Sequence, residues 1–239
     1  MVGESLASVE RSASRGVRSQ TLERALDALQ VLADGKRRTS QELADELGLH
    51  RSVVYRILRT LEDYTLVARA PDGRYLLGLG IAALAEAGMG ELEAQVAVVL
   101  QELANMTSAT ALFCGPQRDD AVVLSSARPS QTPTSIAIRT GTRFPLHKGA
   151  PGLAILSLRD PVEYEPDEVA LARQTGLVHT KGAPFAGLEA VAVPIRLPDG
   201  QGASLSVIFP MRDLDVIAAE RSLRAYAIRL VRPGDNWEV

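Results

Sequence analysis

Apolar residues recur at helical spacing from the start of the ordered pattern. Leu22, Ala25, Leu26, Leu29 and Leu32 share one face and predict a helix from Gln20 to Ala33, closed by Asp34-Gly35. After the basic loop Lys36-Arg37-Arg38, Thr39 caps a second helix, and Glu42 three residues on completes a capping box. That helix runs through Leu43, Ala44 and Leu47 and stops at Gly48. His50 opens a third helix, whose buried face is Val54, Ile57, Leu58 and Leu61. Its other side carries Arg51, Ser52, Tyr55, Arg56 and Arg59, and there is no acidic residue between His50 and Leu61. The apolar period then shortens. Tyr64–Arg69 and Tyr75–Leu77 read as two short strands around Pro71-Asp72-Gly73-Arg74.

Downstream, Leu79–Ala87 predicts a short linker helix. Gly88-Met89-Gly90 is expected to break it and to mark the domain boundary. Glu91–Met106 predicts a longer helix with Leu92, Val96, Val99, Leu100 and Leu103 on one face. Strands are expected at Ala109–Cys114, Ala121–Ser126 and Thr134–Ile138. Pro151–Leu158 predicts a helix with Pro at its first position, and another opens at Pro166 or Asp167 and ends by Gly176. Leu188–Ile195 and Ala203–Phe209 form a hairpin around Pro198-Asp199-Gly200, and Asp213–Leu230 closes the chain as an amphipathic helix. A sheet with helices at both ends of its segment is α+β.

Composition narrows the class. Of 239 residues, 46% are hydrophobic and 23% charged, as in an ordinary globular protein. Net charge is −3. Residues 1–90 hold 12 basic and 12 acidic side chains, so any attraction to nucleic acid comes from local clustering on the third helix. Cys114 is the only cysteine, which excludes an intrachain disulfide and fits a reducing cytoplasm. No run approaches the ~20 apolar residues of a membrane span, no apolar signal core is present, and no Cys/His spacing predicts a metal or cofactor.

Two helices around a tight turn, the second cationic on its outer face, describe a helix-turn-helix, and the following hairpin makes it a winged one. The same residues also suit an ordinary helix pair with a solvated arginine face. Candidate DNA contacts are Thr39, Ser40, Arg51, Ser52, Tyr55, Arg56 and Arg59, with Arg69 and Arg74 beside the wing turn. Arginine reads guanine or holds phosphate, and hydroxyls serve either.

The residues Leu22-Glu23-Arg24-Ala25-Leu26, Leu43-Ala44, Gly48-Leu49, Arg51-Ser52, Arg56-Ile57-Leu58-Arg59-Thr60-Leu61 and Arg74-Tyr75-Leu76-Leu77-Gly78 carry a more specific likeness. Over Arg18–Gly80 the chain resembles the DNA-binding domain of the IclR family of bacterial transcription regulators. It departs at Val53, where members often have Thr, and at Thr65, where they often have Gly. The α+β segment resembles the family's GAF-like effector-binding domain, so the likeness covers roughly residues 18–231. The resemblance implies an all-α-plus-wing winged helix-turn-helix domain joined by a linker helix to an α+β GAF-like effector-binding domain. The expected divisions are 1–17 flexible, 18–78 DNA-binding, 79–90 linker, 91–231 effector-binding and 232–239 tail. It implies a double-stranded DNA operator, a homodimer or tetramer, and a repressor in the cytoplasm. The first helix and Leu79–Ala87 are the expected dimer contacts.

Gly141–Gly152 is a glycine-rich turn leading into a helix, whose first N–H groups can hold an anion. It resembles the family motif bordering the effector pocket, but has Leu153 where many members carry Lys. The effector candidates are His147, Gly149, Ala150 and Gly152, with Cys114 and the alternating Ser204 and Ser206. The expected ligand is a small carboxylate. Plainer roles stand beside these: a helix entry needing tight packing, a buried cysteine, and serines facing solvent. The segment Leu158–Leu177 looks shorter than its family counterpart, so a second domain serving only for dimerisation is the alternative. An enzyme using Cys114 or Ser204 with His147 or His179 is not expected, because no nucleophile elbow or metal motif is visible.

Overall fold

The protein is described from a computed structural model, which covers residues 19–131, 136–211 and 215–231. The expectations for 1–17 and 232–239 lie outside the described residues. The chain divides into two compact units, Met1–Gly88 and Met89–Val239.

In the first unit, helices α1 (Gln20–Leu32), α2 (Ser40–Leu47) and α3 (Arg51–Asp63) are followed by a two-stranded wing, β1 (Val67–Arg69) and β2 (Tyr75–Leu77). Both halves of the capping box are made. Glu42 N–H donates to Thr39 Oγ1 at 3.2 Å, and Thr39 N–H donates to Glu42 Oε2 at 2.7 Å. Gly48 closes α2 in the left-handed region at φ 63°. Ala28, Leu32, Leu43, Val54, Leu58 and Tyr75 are among the residues forming one core. The Arg38 backbone pairs with Tyr75 in both directions and so adds a third strand residue to the wing.

Helix α4 (Gly80–Thr107) runs unbroken, contrary to the expected break at Gly88-Met89-Gly90. A glycine inside a helix costs only about 1 kcal/mol. The strong helix formers before it and the apolar face after it (Val96, Val99, Leu100, Leu103) outweigh that cost.

The second unit is a six-stranded antiparallel sheet in the order β5-β4-β3-β8-β7-β6. Its strands are β3 (Thr110–Gln117), β4 (Asp120–Ala127), β5 (Arg143–Pro145), β6 (Val178–Lys181), β7 (Leu188–Arg196) and β8 (Gly202–Pro210). The strand expected at Thr134–Ile138 is not one where described: residues 132–135 fall outside the described set, and 136–138 are irregular. The edge strand β5 lies further on instead. The period-2 rule divides the sheet's side chains. Val191, Val193, Leu205 and Val207 face the second half of α4 and the closing helix α7 (Val216–Val231). Ala190, Ala192 and Ile208 face α5 (Ala150–Ser157) and α6 (Asp167–Thr175). Among the described residues no helix is long and apolar enough to cross a membrane.

Candidate nucleic-acid interface and buried polar face

Helix α3 turns Val54, Ile57, Leu58 and Leu61 into the core, which leaves Arg51, Ser52, Tyr55, Arg56 and Arg59 exposed on its other side. Tyr55 is 48% exposed, so its ring and hydroxyl are open on the same side as the arginines. His50, Arg51, Ser52, Tyr55 and Arg56 line one shallow concavity at the start of the helix, where the unpaired N–H groups also favour anions. His50 was not among the expected contacts. It caps α3 by backbone geometry alone, so only its exposed position on this face singles it out. Arg51 Nε lies 3.5 Å from Ser40 Oγ, which joins the starts of α2 and α3.

The remaining candidates are placed differently. Thr39 accepts the capping bond from Glu42, leaving its O–H to donate. Arg69 lies over the Tyr75 ring at 5.8 Å. Arg74 is turned onto α2, with Nη1 3.0 Å from Glu42 Oε2 and 3.3 Å from the Arg37 carbonyl. This cation is neutralised within the fold rather than extended toward phosphate. Arg38 is likewise structural: it is buried, and its guanidinium donates to both Asp34 oxygens and to Glu46. The Arg38 hydrogen bonds hold the Asp34 carboxyl well below the usual carboxylate range.

In the second unit, Cys114 and Leu112 of β3 sit opposite Ser204 and Ser206 of β8. Both serines are fully buried, not solvent-facing. Ser204 Oγ has no hydrogen-bond partner, and Ser206 Oγ makes only a 3.5 Å contact to the Leu112 carbonyl. Burial pushes the Cys114 thiol up to about 12, so it stays neutral.

The start of α5 has less room and fewer unpaired donors than the expected anion site needs. Gly149 has φ +83°, and a Cβ there would overlap Pro184; a Cβ at Gly152 would overlap the Leu146 carbonyl. These glycines admit the chain's own backbone. Ala150 N–H already donates to Thr180 Oγ1 at 3.0 Å, Pro151 has no N–H, and Leu153 N–H returns to the Gly149 carbonyl, which leaves Gly152 N–H as the one helix-start donor without a bond among the described residues. His147 and Lys148 are exposed. His179 pairs with Glu189 at 2.8 Å on the face of the sheet opposite Ser204, so the two do not meet as base and nucleophile.

A winged helix-turn-helix with a cationic recognition helix, followed by an α+β sheet unit, is the build of a DNA-binding regulator. Residues 21–71 match the IclR helix-turn-helix domain. The glycerol operon regulatory protein of Streptomyces griseus is 33% identical over 171 residues, 70% of this chain and 66% of that protein. The HTH-type transcriptional regulator KdgR of Dickeya chrysanthemi is 28% identical over 160 residues, 65% of this chain and 52% of that one. The chain therefore spans less than two thirds of the length of these relatives. An IclR regulator from Alicyclobacillus acidocaldarius superposes with a TM-score of 0.76 at 25% identity, over 90% of this chain and 98% of that one. An IclR homolog from Microbacterium hydrocarbonoxydans, complexed with 4-hydroxybenzoate, shares the fold at a TM-score of 0.71 and 20% identity, over 89% and 98%. The chain belongs to the IclR family of transcriptional regulators, and its relatives are regulators, not enzymes.

Proposed function

We propose that this chain is a sequence-specific, dimeric transcription repressor whose second unit takes a small organic effector. The observation that carries it is the outer face of α3, where three arginines, a serine and a half-exposed tyrosine share one side with no acidic residue from Arg51 to Leu61. Inserted in a major groove, Arg51, Arg56 and Arg59 reach guanine edges and phosphates, and Ser52 a phosphate or base edge. One such helix buries too little surface for specific affinity, so two copies on half-sites one helical turn apart are required. Leu22 and Leu26 of α1 and Leu84 of α4, all well exposed, are the contacts we assign to that dimer.

The Streptomyces griseus relative is by its name the regulator of a glycerol operon, which makes polyol catabolism the first place to look for target genes. The Microbacterium homolog supports a small-molecule effector on this fold. For a carboxylate effector the nearby candidate cations are His147 and Lys148, both at the surface. The filled spaces beside Gly149 and Gly152 favour the alternative, a second unit that only dimerises. Selection of bound fragments from genomic DNA, followed by titration of the retained operator in the presence of small metabolites, decides between them. A repressor releases a specific fragment when its effector is added. A dimerisation-only protein binds the fragment and responds to nothing.

A further inference from the structure

We infer that His50 is a phosphate contact of the DNA face, and that DNA binding by this chain takes up a proton there and strengthens as pH falls. This rests on the DNA reading of α3 above and adds a residue and a condition that the arginines do not supply.

His50 stands one residue before α3, exposed, at the rim of the concavity it lines with Arg51, Ser52, Tyr55 and Arg56. Its backbone is fixed by the fold, with its carbonyl accepting from Val53 N–H at 2.9 Å and from Val54 N–H at 3.2 Å. Its imidazole is used by nothing. It makes no capping bond to α3 and enters no hydrogen bond or ion pair among the described residues.

The charged groups around it leave that ring for an incoming partner. On α2, Glu42 accepts from Thr39 and Arg74, Asp45 from the Gln41 amide, and Glu46 from Arg38. On α1, Glu23 and Asp27 are engaged with partners of their own, and Arg24 lines a separate groove with Arg56. On α3 no acidic residue occurs before Glu62, and the Arg51 guanidinium has only its long contact to Ser40 Oγ. A phosphate at the rim is therefore the first ionic partner the imidazole meets. It accepts the ring N–H and favours the protonated form.

A lysine or arginine at this position would hold phosphate at any pH, whereas a histidine does so only when charged. Histidine is the side chain that changes charge between about pH 5 and 8. His50 is the only one in the first unit, the chain's others being His147 and His179. Where the free ring is neutral and the bound ring charged, each proton taken up is worth about tenfold in affinity per pH unit, and affinity falls as pH rises. A phosphate contact carries no sequence information, so the effect belongs to any duplex.

The test uses the full chain, a duplex of mixed sequence, and the fragment retained from genomic DNA. Fluorescence anisotropy is followed from about pH 6 to about pH 8 at fixed ionic strength, then against salt at both ends. Affinity for both duplexes is expected to fall at least about threefold across that range, with a salt slope shallower by about one per protomer at the upper end. His50→Gln should bind throughout as the parent does at the upper end, and His50→Lys as tightly throughout as the parent at the lower end. Both replace an exposed ring that has no bond in the fold, so melting temperatures should match the parent's. Calorimetry in two buffers of different ionisation heat should show proton uptake by the parent and less by His50→Gln, which separates His50 from His147 and His179. Binding by the parent that is independent of pH overturns the inference, as does a pH dependence that survives in His50→Gln. A pH dependence confined to the genomic fragment overturns the phosphate contact, because the ring then reads a base. A chain that binds neither duplex loses the DNA reading of α3, and this inference with it.

Discussion

Thr65 carries a backbone conformation that its side chain opposes. It sits at φ +57°, where a β-branched residue is strained by about 1–2 kcal/mol. The fold holds it there because Gly80 N–H donates to its carbonyl at 3.0 Å, and a Cβ on Gly78 or Gly80 would overlap the Thr65 backbone. Thr65→Gly should therefore raise the denaturant midpoint of the full chain, by up to about 1 kcal/mol after glycine's own entropy cost. Gly78→Ala should lower it by about 1–3 kcal/mol, the usual cost of overpacking. Arg38 is the second position where one side chain organises the unit. Removing its bonds to Asp34 and Glu46 by Arg38→Met should cost about 1–3 kcal/mol. The folded Asp34 carboxyl titrates below its unfolded value, so its contribution is complete above the ordinary carboxylate range, near pH 4, and is lost as pH falls through the folded value. Arg38→Met should accordingly flatten the acid limb of a pH–stability curve; an unchanged limb means the pairing is not made in solution. The Thr39–Glu42 capping box was legible in sequence because both partners lie within three residues. Arg38 was not, since its backbone partner Tyr75 is 37 residues away. Gly149 and Gly152 read as effector contacts in the sequence because the contacts that fill the space beside them, above all Pro184 against Gly149, come from the fold and not from the helical pattern.

At the scale of the element, α3 could be read in advance because its two faces differ so sharply in chemistry, and its buried residues are the ones its apolar spacing selects. The structure adds a ranking among cations that sequence spacing cannot supply. Arg51, Arg56 and Arg59 are exposed on the helix face, with Arg51 held only by a long contact to Ser40 Oγ, while Arg74 is tied to Glu42. Alanine at a base-reading arginine of α3 should weaken operator binding by about 1–3 kcal/mol and relax one base position, and at a phosphate-binding one should reduce the salt slope by about one. Arg74→Ala should cost less in DNA affinity than any of the three and appear instead as a lower midpoint in denaturation. Fluorescence anisotropy with operator DNA at several salt concentrations measures both, and an Arg74 effect as large as that of Arg56 would sink the ranking. Short edge strands were the elements hardest to read. β5 and β6 have three and four residues, too few for a period to show, and are made strands by their neighbours β4 and β7. Continuity of α4 through Gly88 and Gly90 was misread for a related reason: glycine's local penalty was visible, whereas the packing that offsets it belongs to the second unit.

At the scale of the molecule, α4 is the one element that belongs to both units, since its 28 residues begin before Gly88 and end at Thr107. Its second half buries Val96, Val99, Leu100 and Leu103 against the sheet that carries Ser204 and Ser206 on its other side. Its first half follows directly on the wing, with Gly80 bonded to Thr65. On the proposed reading, a ligand bound by the second unit changes operator affinity by an expected 1–3 kcal/mol, or about 5–150-fold, and the continuous helix α4 is the first route to test. Proline at Gly90 removes a backbone donor inside the helix and kinks it there. In Gly90→Pro, effector binding by the second unit and operator binding by α3 should each persist when measured alone, because neither set of residues is touched. The change in operator affinity on adding the effector should fall toward one-fold. Loss of either binding event would mean that the helix is needed for folding, which a melting curve detects. Full coupling retained through the kink would show that the signal travels by another route, with subunit contacts the next place to test.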